Sequence, residues 1–163
     1  MSAAARAEAG AAGIANAGPI RFAGYAAVFG KRDSGGDTIM PGAFAASLAA
    51  RKAAGARLPL YWQHRPDTRI GWIDVAEEDR HGLRVIATLT EPASPAAKAL
   101  IGGAVNGLSF GYRVRDGARL AGGRELRAVD LFEVSLVTRP MQPLARVHYV
   151  DGEARRLAAA NTA

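Results

Sequence analysis

Gly107-Leu108-Ser109-Phe110-Gly111 sets a serine between two glycines, a spacing that can present a nucleophilic hydroxyl. A serine hydroxyl attacks a carbonyl only if a base takes its proton during the attack. Histidine is the usual base, because its pKa lies near neutrality. The chain has three. His81 falls in the turn-forming "EDRHG" and reads as a solvent-exposed loop residue. His148, in "RVHYV", closes the last ordered run and has no acid before Asp151. His64 follows Leu60 and Trp62 on the alternating face of "RLPLYWQHRP", where a histidine is either a satisfied core group or a base. A third group is needed to orient the imidazole and stabilise its charged form. Glu133 in "DLFEVSLVT" is the candidate, in register with Leu131, Ser135 and Val137, since an unpaired carboxylate in an apolar strand is costly. Its plainer reading is an ion pair with an arginine. Asp130 is the competing acid, at a strand start where caps and edge positions are common.

The serine motif does not make an α/β-hydrolase. There the chain turns sharply from strand to helix at the serine, whereas Phe110, Tyr112 and Val114 keep a period of two beyond Ser109. The order Ser109, Asp130, His148 meets the hydrolase pattern only formally, without an oxyanion "HGGG" segment or repeated βαβ units. Cysteine is absent, which excludes thiol catalysis, disulfides and Cys-based metal sites. Three scattered histidines without HExxH pairing or clustered carboxylates give no metal ligand set, and no cofactor is expected.

The elements that position these residues can be read in turn. "IRFAGYAAVFG" alternates at Ile20, Phe22, Gly24, Ala26 and Val28, as a strand does. "KRDSGGDTIMPG" reads as a loop in which Asp33 and Asp37 fix turns and cap the following helix. "AFAASLAARKAAG" has helical composition and stops at Gly55. "RLPLYWQHRP" reads as a strand ended by Pro66, and "RIGWIDVAEEDRHGLRVIATLT" as a β-hairpin. Ser94 as N-cap and Pro95 at the first helical position open a second helix. "LSFGYRVRD", a Gly-rich turn, "RELRAVDL" and "FEVSLVTRP" supply the remaining strands. Several strands to two short helices, without regular alternation, predict an α+β, mainly β fold: a β-barrel or sheet core with helices packed outside.

The 163 residues suit one domain, with 49% hydrophobic and 22% charged residues marking a globular chain. It divides into a flexible Ala/Gly-rich arm at 1–19, a domain at 20–150 and a flexible tail at 151–163. No apolar run reaches 18 residues, so no membrane span is expected. A net charge of +6 could meet nucleic acid or an acidic protein. The arginines are scattered, however, and Phe22, Tyr25, Trp62 and Trp72 fall at strand-core spacing. No specific nucleic-acid partner is therefore expected.

Five stretches, taken in order, identify a family: "GYAAVFGKRDSGGDTIMPGAF", "LPLYWQHRPDTRIGWI", "HGLRVIATL", "GAVNGLSFGYRV" and "LFEVSLVTRPMQPLARV". The chain resembles the prohead maturation proteases of HK97-like tailed phages, whose catalytic domain is similar to the herpesvirus assemblin proteases. The resemblance implies a herpesvirus-protease-like β-barrel core. It puts the catalytic histidine at His64 in the Trp-x-His segment and the nucleophile at Ser109 in Gly-Leu-Ser-x-Gly. The third member falls at Glu133 in Glu-Val-Ser-Leu-Val, where the herpesvirus relatives carry a second histidine. Arg139 in "VTRP" becomes the oxyanion candidate, through backbone or side chain, against the plain reading of a surface charge. "RPMQP" departs from the family's Pro-Ala-Asn type sequence. The glycines around Ser109 read as room for an approaching substrate backbone.

The function implied is that of a serine endopeptidase of capsid maturation, which cleaves the scaffolding segment of the major capsid protein, and itself, through an acyl-enzyme. It would act inside the procapsid, in the cytoplasm of a bacterial host, with the major capsid protein and its scaffolding segment as partners. The rival reading is a non-catalytic β-barrel assembly factor that binds capsid or scaffold. A homodimer, and an origin in a phage, a prophage or a gene transfer agent, stay open.

Overall fold

The computed structural model describes residues 18–151. All of the arm before Gly18 and all of the tail after Asp151 lie outside them. Among the described residues, eight strands and two helices follow in the order β1 (Ile20–Val28), β2 (Asp37–Ile39), α1 (Ala45–Ala54), β3 (Leu58–Trp62), β4 (Arg65–Glu78), β5 (Gly82–Leu89), α2 (Pro95–Ile101), β6 (Gly107–Leu120), β7 (Gly123–Val137) and β8 (Val147–Val150). The fold class is mainly β with two outer helices, as the sequence predicts.

All eight strands form one curled sheet, organised around β7. β6 runs antiparallel along one edge of β7 for its whole length. On the other edge, β2 pairs parallel with Arg124–Leu126 and β3 pairs parallel with Val134–Leu136. From β3 the sheet continues through β4, β5, β1 and β8. The residues entering β8 then return to β6: the Leu108 amide donates to the Ala145 carbonyl at 3.0 Å, and the Val147 amide to the Asn106 carbonyl at 2.8 Å. Side chains alternate across a strand, so Leu83, Val85, Ala87 and Leu89 of β5 all enter the core. Phe22, Phe44, Leu60, Leu108 and Leu136 fill it from other strands and the α1 approach.

The helices are held differently. α2 starts as expected, with the Ser94 hydroxyl accepting from the Ala97 amide at 3.1 Å, and it buries Ala96, Ala97 and Leu100. α1 buries no residue fully and hangs on β7 by polar bonds. Ser47 Oγ accepts from the Leu131 amide at 2.9 Å, and Arg51 Nε donates to the Leu131 carbonyl at 2.9 Å. Its first turn has no side-chain cap of its own; the Glu78 carboxylate accepts from the Gly42 and Phe44 amides instead. α1 ends at Gly55, whose φ of 62° is the left-handed stop that glycine allows.

Several local expectations need correction. The segment before α1 is not all loop, because β2 forms within it. Asp33 does fix its turn, accepting from the Gly35 and Asp37 amides at 2.9 Å each. Asp37, however, caps no helix. Pairing opposite Arg124 buries it, and its carboxylate takes a two-pronged bond from Arg124 at 2.8 and 2.7 Å and the Tyr112 hydroxyl at 2.9 Å. The Gly-rich turn shrinks to Ala121-Gly122, since β6 pairs as far as Leu120, and "RELRAVDL" and "FEVSLVTRP" merge into the single strand β7. The strand expected to stop at Pro66 stops at Trp62. Pro66 instead lies exposed near the start of β4, where its missing N–H costs little. No helix among the described residues is long and apolar enough to cross a membrane.

Arg124, through its hydrogen bonds, holds the Asp37 carboxyl below its usual range, with Tyr112 adding to this and burial opposing it. Burial and the Asp37 bond in turn push the Tyr112 hydroxyl to about 12. A depressed carboxyl contributes stability above its unfolded pKa of about 3.9 and loses it as pH falls through the folded value. Arg124→Met should therefore move acid unfolding, followed by circular dichroism, to higher pH. Tyr112→Phe should move it in the same direction by less.

Candidate active site

β3 and β4 are joined by Gln63 and His64 alone, with Trp62 paired to Arg65. Both joining residues have positive φ, 51° and 57°. This is the sign pattern of a type I′ turn, which normally takes Asn-Gly. Left-handed backbone at a non-glycine residue costs about 1–3 kcal/mol and persists only where the surroundings impose it. β7 imposes it here. The Gln63 amide donates to the Leu136 carbonyl at 3.0 Å. The Gln63 carboxamide donates to Thr138 Oγ1 at 2.5 Å and accepts from the Thr138 amide at 3.1 Å. The His64 amide donates to Ser135 Oγ at 3.1 Å. His64 is thus placed by a clamped turn, not by the alternation of β3 that the sequence suggested.

Across the β6–β7 pair, Ser109 lies opposite Ser135 and Gly111 opposite Glu133. Directly opposed residues share a face, so these four positions lie together, behind the core face formed by Leu108, Val134 and Leu136. Glu133 is only 7% exposed. One of its oxygens contacts His64 Nδ1 and the other accepts from the Ser135 hydroxyl at 2.7 Å. A carboxylate only accepts, so Nδ1 carries a proton, and in the neutral ring Nε2 keeps its lone pair. Nε2 bonds to nothing among the described residues, and the His64 side chain is 42% exposed. The Ser109 hydroxyl likewise has no partner among the described residues, and no hydrogen bond joins it to His64. Catalytic bonds of this kind are often open without substrate.

The geometry separates the two acids. Asp130 is occupied by Arg113 at 3.1 Å and Arg115 at 3.5 Å, while Glu133 reaches His64. The expected common register of Leu131 with Glu133 does not hold. The pairing slips between Gly111 and Tyr112, leaving Phe132 as an extra residue of β7 and turning Leu131 into the core. The glycines also serve another purpose than the one read from the sequence. A Cβ on Gly111 would lie 2.6 Å from Glu133 Oε1, and one on Gly107 would lie 2.6 Å from the Val137 carbonyl. Both spaces are filled by the protein itself. Arg139 is exposed two residues past β7, and neither its guanidinium nor its amide has a partner among the described residues. His81 and His148 lie elsewhere, each edge-on to Tyr25 at 6.1 and 5.9 Å.

Ser135, Gln63 and Thr138 were not assigned roles from the sequence. Ser135 carried a signal, since it shares a strand face with Glu133. Gln63 and Thr138 lie 75 residues apart and carried none.

A family model described as the caudovirus prohead serine protease matches residues 7–160. The chain belongs to that family. It is 36% identical over 143 residues to the prohead protease of Enterobacteria phage HK97, covering 80% of this chain and 61% of that protein. It is also 30% identical over 112 residues to the capsid polyprotein of Pseudomonas phage PAJU2, covering 60% of this chain and 17% of that protein. The chain therefore spans less than two thirds of these relatives. Among solved structures, the bacteriophage T4 capsid assembly protease matches with a TM-score of 0.60 at 10% identity, over 72% of this chain and 80% of its own. The varicella-zoster virus protease matches with a TM-score of 0.58 at 16% identity, over 88% and 76%. At such identities the likeness shows the fold, which is that of the herpesvirus proteases.

The hydrogen bond to Glu133 raises the His64 pKa above its ordinary value, the carboxylate charge adds to this, and burial opposes it. A raised histidine pKa contributes stability that is complete below the unfolded value of about 6.5 and is lost as pH rises through the folded one. Glu133→Gln should lower the His64 pKa in an NMR titration of the imidazole. Gly111→Ala, which pushes the same carboxylate aside, should lower it too while the sheet stays folded.

Proposed function

We propose that this chain is the serine endopeptidase of capsid maturation, cutting the scaffolding segment of a major capsid protein, and itself, inside the procapsid of a bacterial host. The observation that carries the reading is the Glu133–His64 contact, with Nε2 open and an unpartnered Ser109 hydroxyl presented from the strand beside Glu133, in a chain of the prohead protease family.

Ser109 Oγ attacks the scissile carbonyl carbon while His64 Nε2 takes its proton. The imidazolium then gives that proton to the leaving amine, and the C–N bond breaks to leave an acyl ester on Ser109. Water, deprotonated by the same nitrogen, hydrolyses the ester. Glu133 holds the Nδ1–H tautomer through both steps and stabilises the imidazolium. Ser135 is a positioning residue that acts through Glu133 and the His64 backbone. Arg139 supplies the oxyanion donor through its free amide or its guanidinium, in line with the need for preorganised groups aimed at developing charge. The strained Gln63-His64 turn favours this reading over a non-catalytic assembly factor, which has no use for two left-handed residues clamped beside a buried carboxylate.

Co-expression with the cognate major capsid protein, read by intact mass, tests the proposal. Wild type should yield a shortened capsid protein, and Ser109→Ala should abolish the cut, since losing such a nucleophile costs on the order of 10⁶ in rate. Equal trimming in both would leave Ser109 a strand serine and favour the binding factor.

A further inference from the structure

The outer face of β3 and β4 carries a cluster that the proposed chemistry does not use. Trp72 of β4 has two arginine guanidinium groups against its ring, Arg57 and Arg69, each 4.1 Å from the ring centroid. The sheet builds this arrangement. Pro59 pairs with Trp72 and Tyr61 with Arg69, while Leu58, Leu60 and Ile73 point into the core. Ile70 is the extra residue of a bulge between those two pairs. Without it, Arg69 would share the inward parity of Gly71 and Ile73. With it, Arg69 turns outward, one of the uses of a bulge. Along the strand axis Arg57 lies two residues to one side of the Pro59–Trp72 pair, and Arg69 lies two residues to the other. The indole therefore stands between them.

Neither guanidinium has a carboxylate within ion-pair distance among the described residues. The acid on the neighbouring bulge, Asp74, is bonded to the Thr88 hydroxyl at 2.5 Å. Both arginines are exposed, and stacking on the ring restrains two side chains that would otherwise be mobile. On opposite faces of one ring, their charged centres lie up to about 8 Å apart. Alternate residues of an extended chain lie about 6.8 Å apart on one side. Two carboxylates at that spacing can each meet one guanidinium fork. A nucleic-acid strand is disfavoured, because both indole faces that a base would stack on are already covered.

We propose that Arg57, Trp72 and Arg69 form a docking site for an extended acidic peptide with carboxylates at alternate positions. The inference deepens the protease reading and rests on it for its purpose. Tyr61, which pairs with Arg69, is separated from the Gln63-His64 turn by Trp62 alone, the last residue of β3. An acidic stretch held there anchors a substrate polypeptide beside the catalytic turn without entering it.

The test uses the full chain carrying Ser109→Ala, so that no probe is cut, and Trp62→Phe. The chain has two tryptophans, and Trp72 is then the only fluorophore of its kind. A capped peptide alternating glutamate and alanine should quench or shift that fluorescence saturably, with an affinity that falls as salt rises. Replacing both arginines, Arg57→Ala with Arg69→Ala, should weaken binding tenfold or more. Calorimetry of the Ser109→Ala chain with Trp62 kept, with and without the two arginine changes, measures the same loss independently of fluorescence. Unchanged affinity in the double variant overturns the site. So does equal binding of a lysine–alanine peptide, and so does tighter binding of oligothymidylate or of inorganic phosphate, which assigns the arginines to phosphate. Because every arm lacks Ser109, its failure leaves the protease reading standing. Failure of the capsid-truncation test, conversely, leaves the peptide site standing.

Discussion

A carboxylate that is 7% exposed has to be matched by partners, because a buried charge without them is among the most expensive features a protein can hold. Much of the local structure around Glu133 can be understood as meeting that demand. His64 Nδ1–H and the Ser135 hydroxyl take one oxygen each. Gly111 leaves the space that the carboxylate occupies. His64 reaches it only because the chain accepts two positive φ angles at Gln63 and His64, and those angles persist because Ser135 and Leu136 of β7, and Thr138 just past it, bind the turn. The strain is local and its compensation is distributed, a pattern expected where structure serves chemistry.

β7 carries this burden because, among the described residues, it pairs with three strands, β6 along one edge and β2 and β3 along the other. Near its start it meets β2, where Asp37 and Arg124 join opposite charges across a parallel pair. Near its end it meets β3, which delivers His64. Along its other edge β6 presents Ser109. Pairing register and the clamped Gln63-His64 turn therefore bring together a serine, an acid and a histidine from three separate stretches of chain. The Phe132 bulge matters as much as the pairing, since it lets Leu131 and Val134 both face the core while Glu133 faces the site.

Proteins at 10–16% identity share this fold at TM-scores near 0.6, as expected where a core asks mainly for apolar residues of about the right size in the right pattern. Charge is distributed with a similar economy of means. Asp37 and Glu133 are buried with their partners, whereas Arg57 and Arg69 are kept exposed on an indole. The site and the outer face thus differ in kind: one holds an imidazole against a buried carboxylate, and the other holds two guanidinium groups against an indole.

Local signals in the sequence were enough for most of the elements. Alternation marked β1, apolar runs around the turn-forming "EEDRHG" marked the β4–β5 hairpin, Ser94-Pro95 opened α2, and Gly55 closed α1; each depends on residues within a turn or two of one another. Residue type and order also singled out His64, Ser109 and Glu133. Only the tertiary structure decided which acid meets His64, since Glu133 and His64 lie 69 residues apart and Asp130 stood as the competing acid, which Arg113 and Arg115 occupy. It also decided that Gly111 makes room for Glu133, that Asp37 pairs with Arg124 across 87 residues, and that Gln63 clamps Thr138. Hydrophobic periodicity records which face a residue takes, but it carries no record of strand register. Bulges at Ile70 and Phe132 shift that register by a single residue, and on a strand one residue is the difference between core and surface.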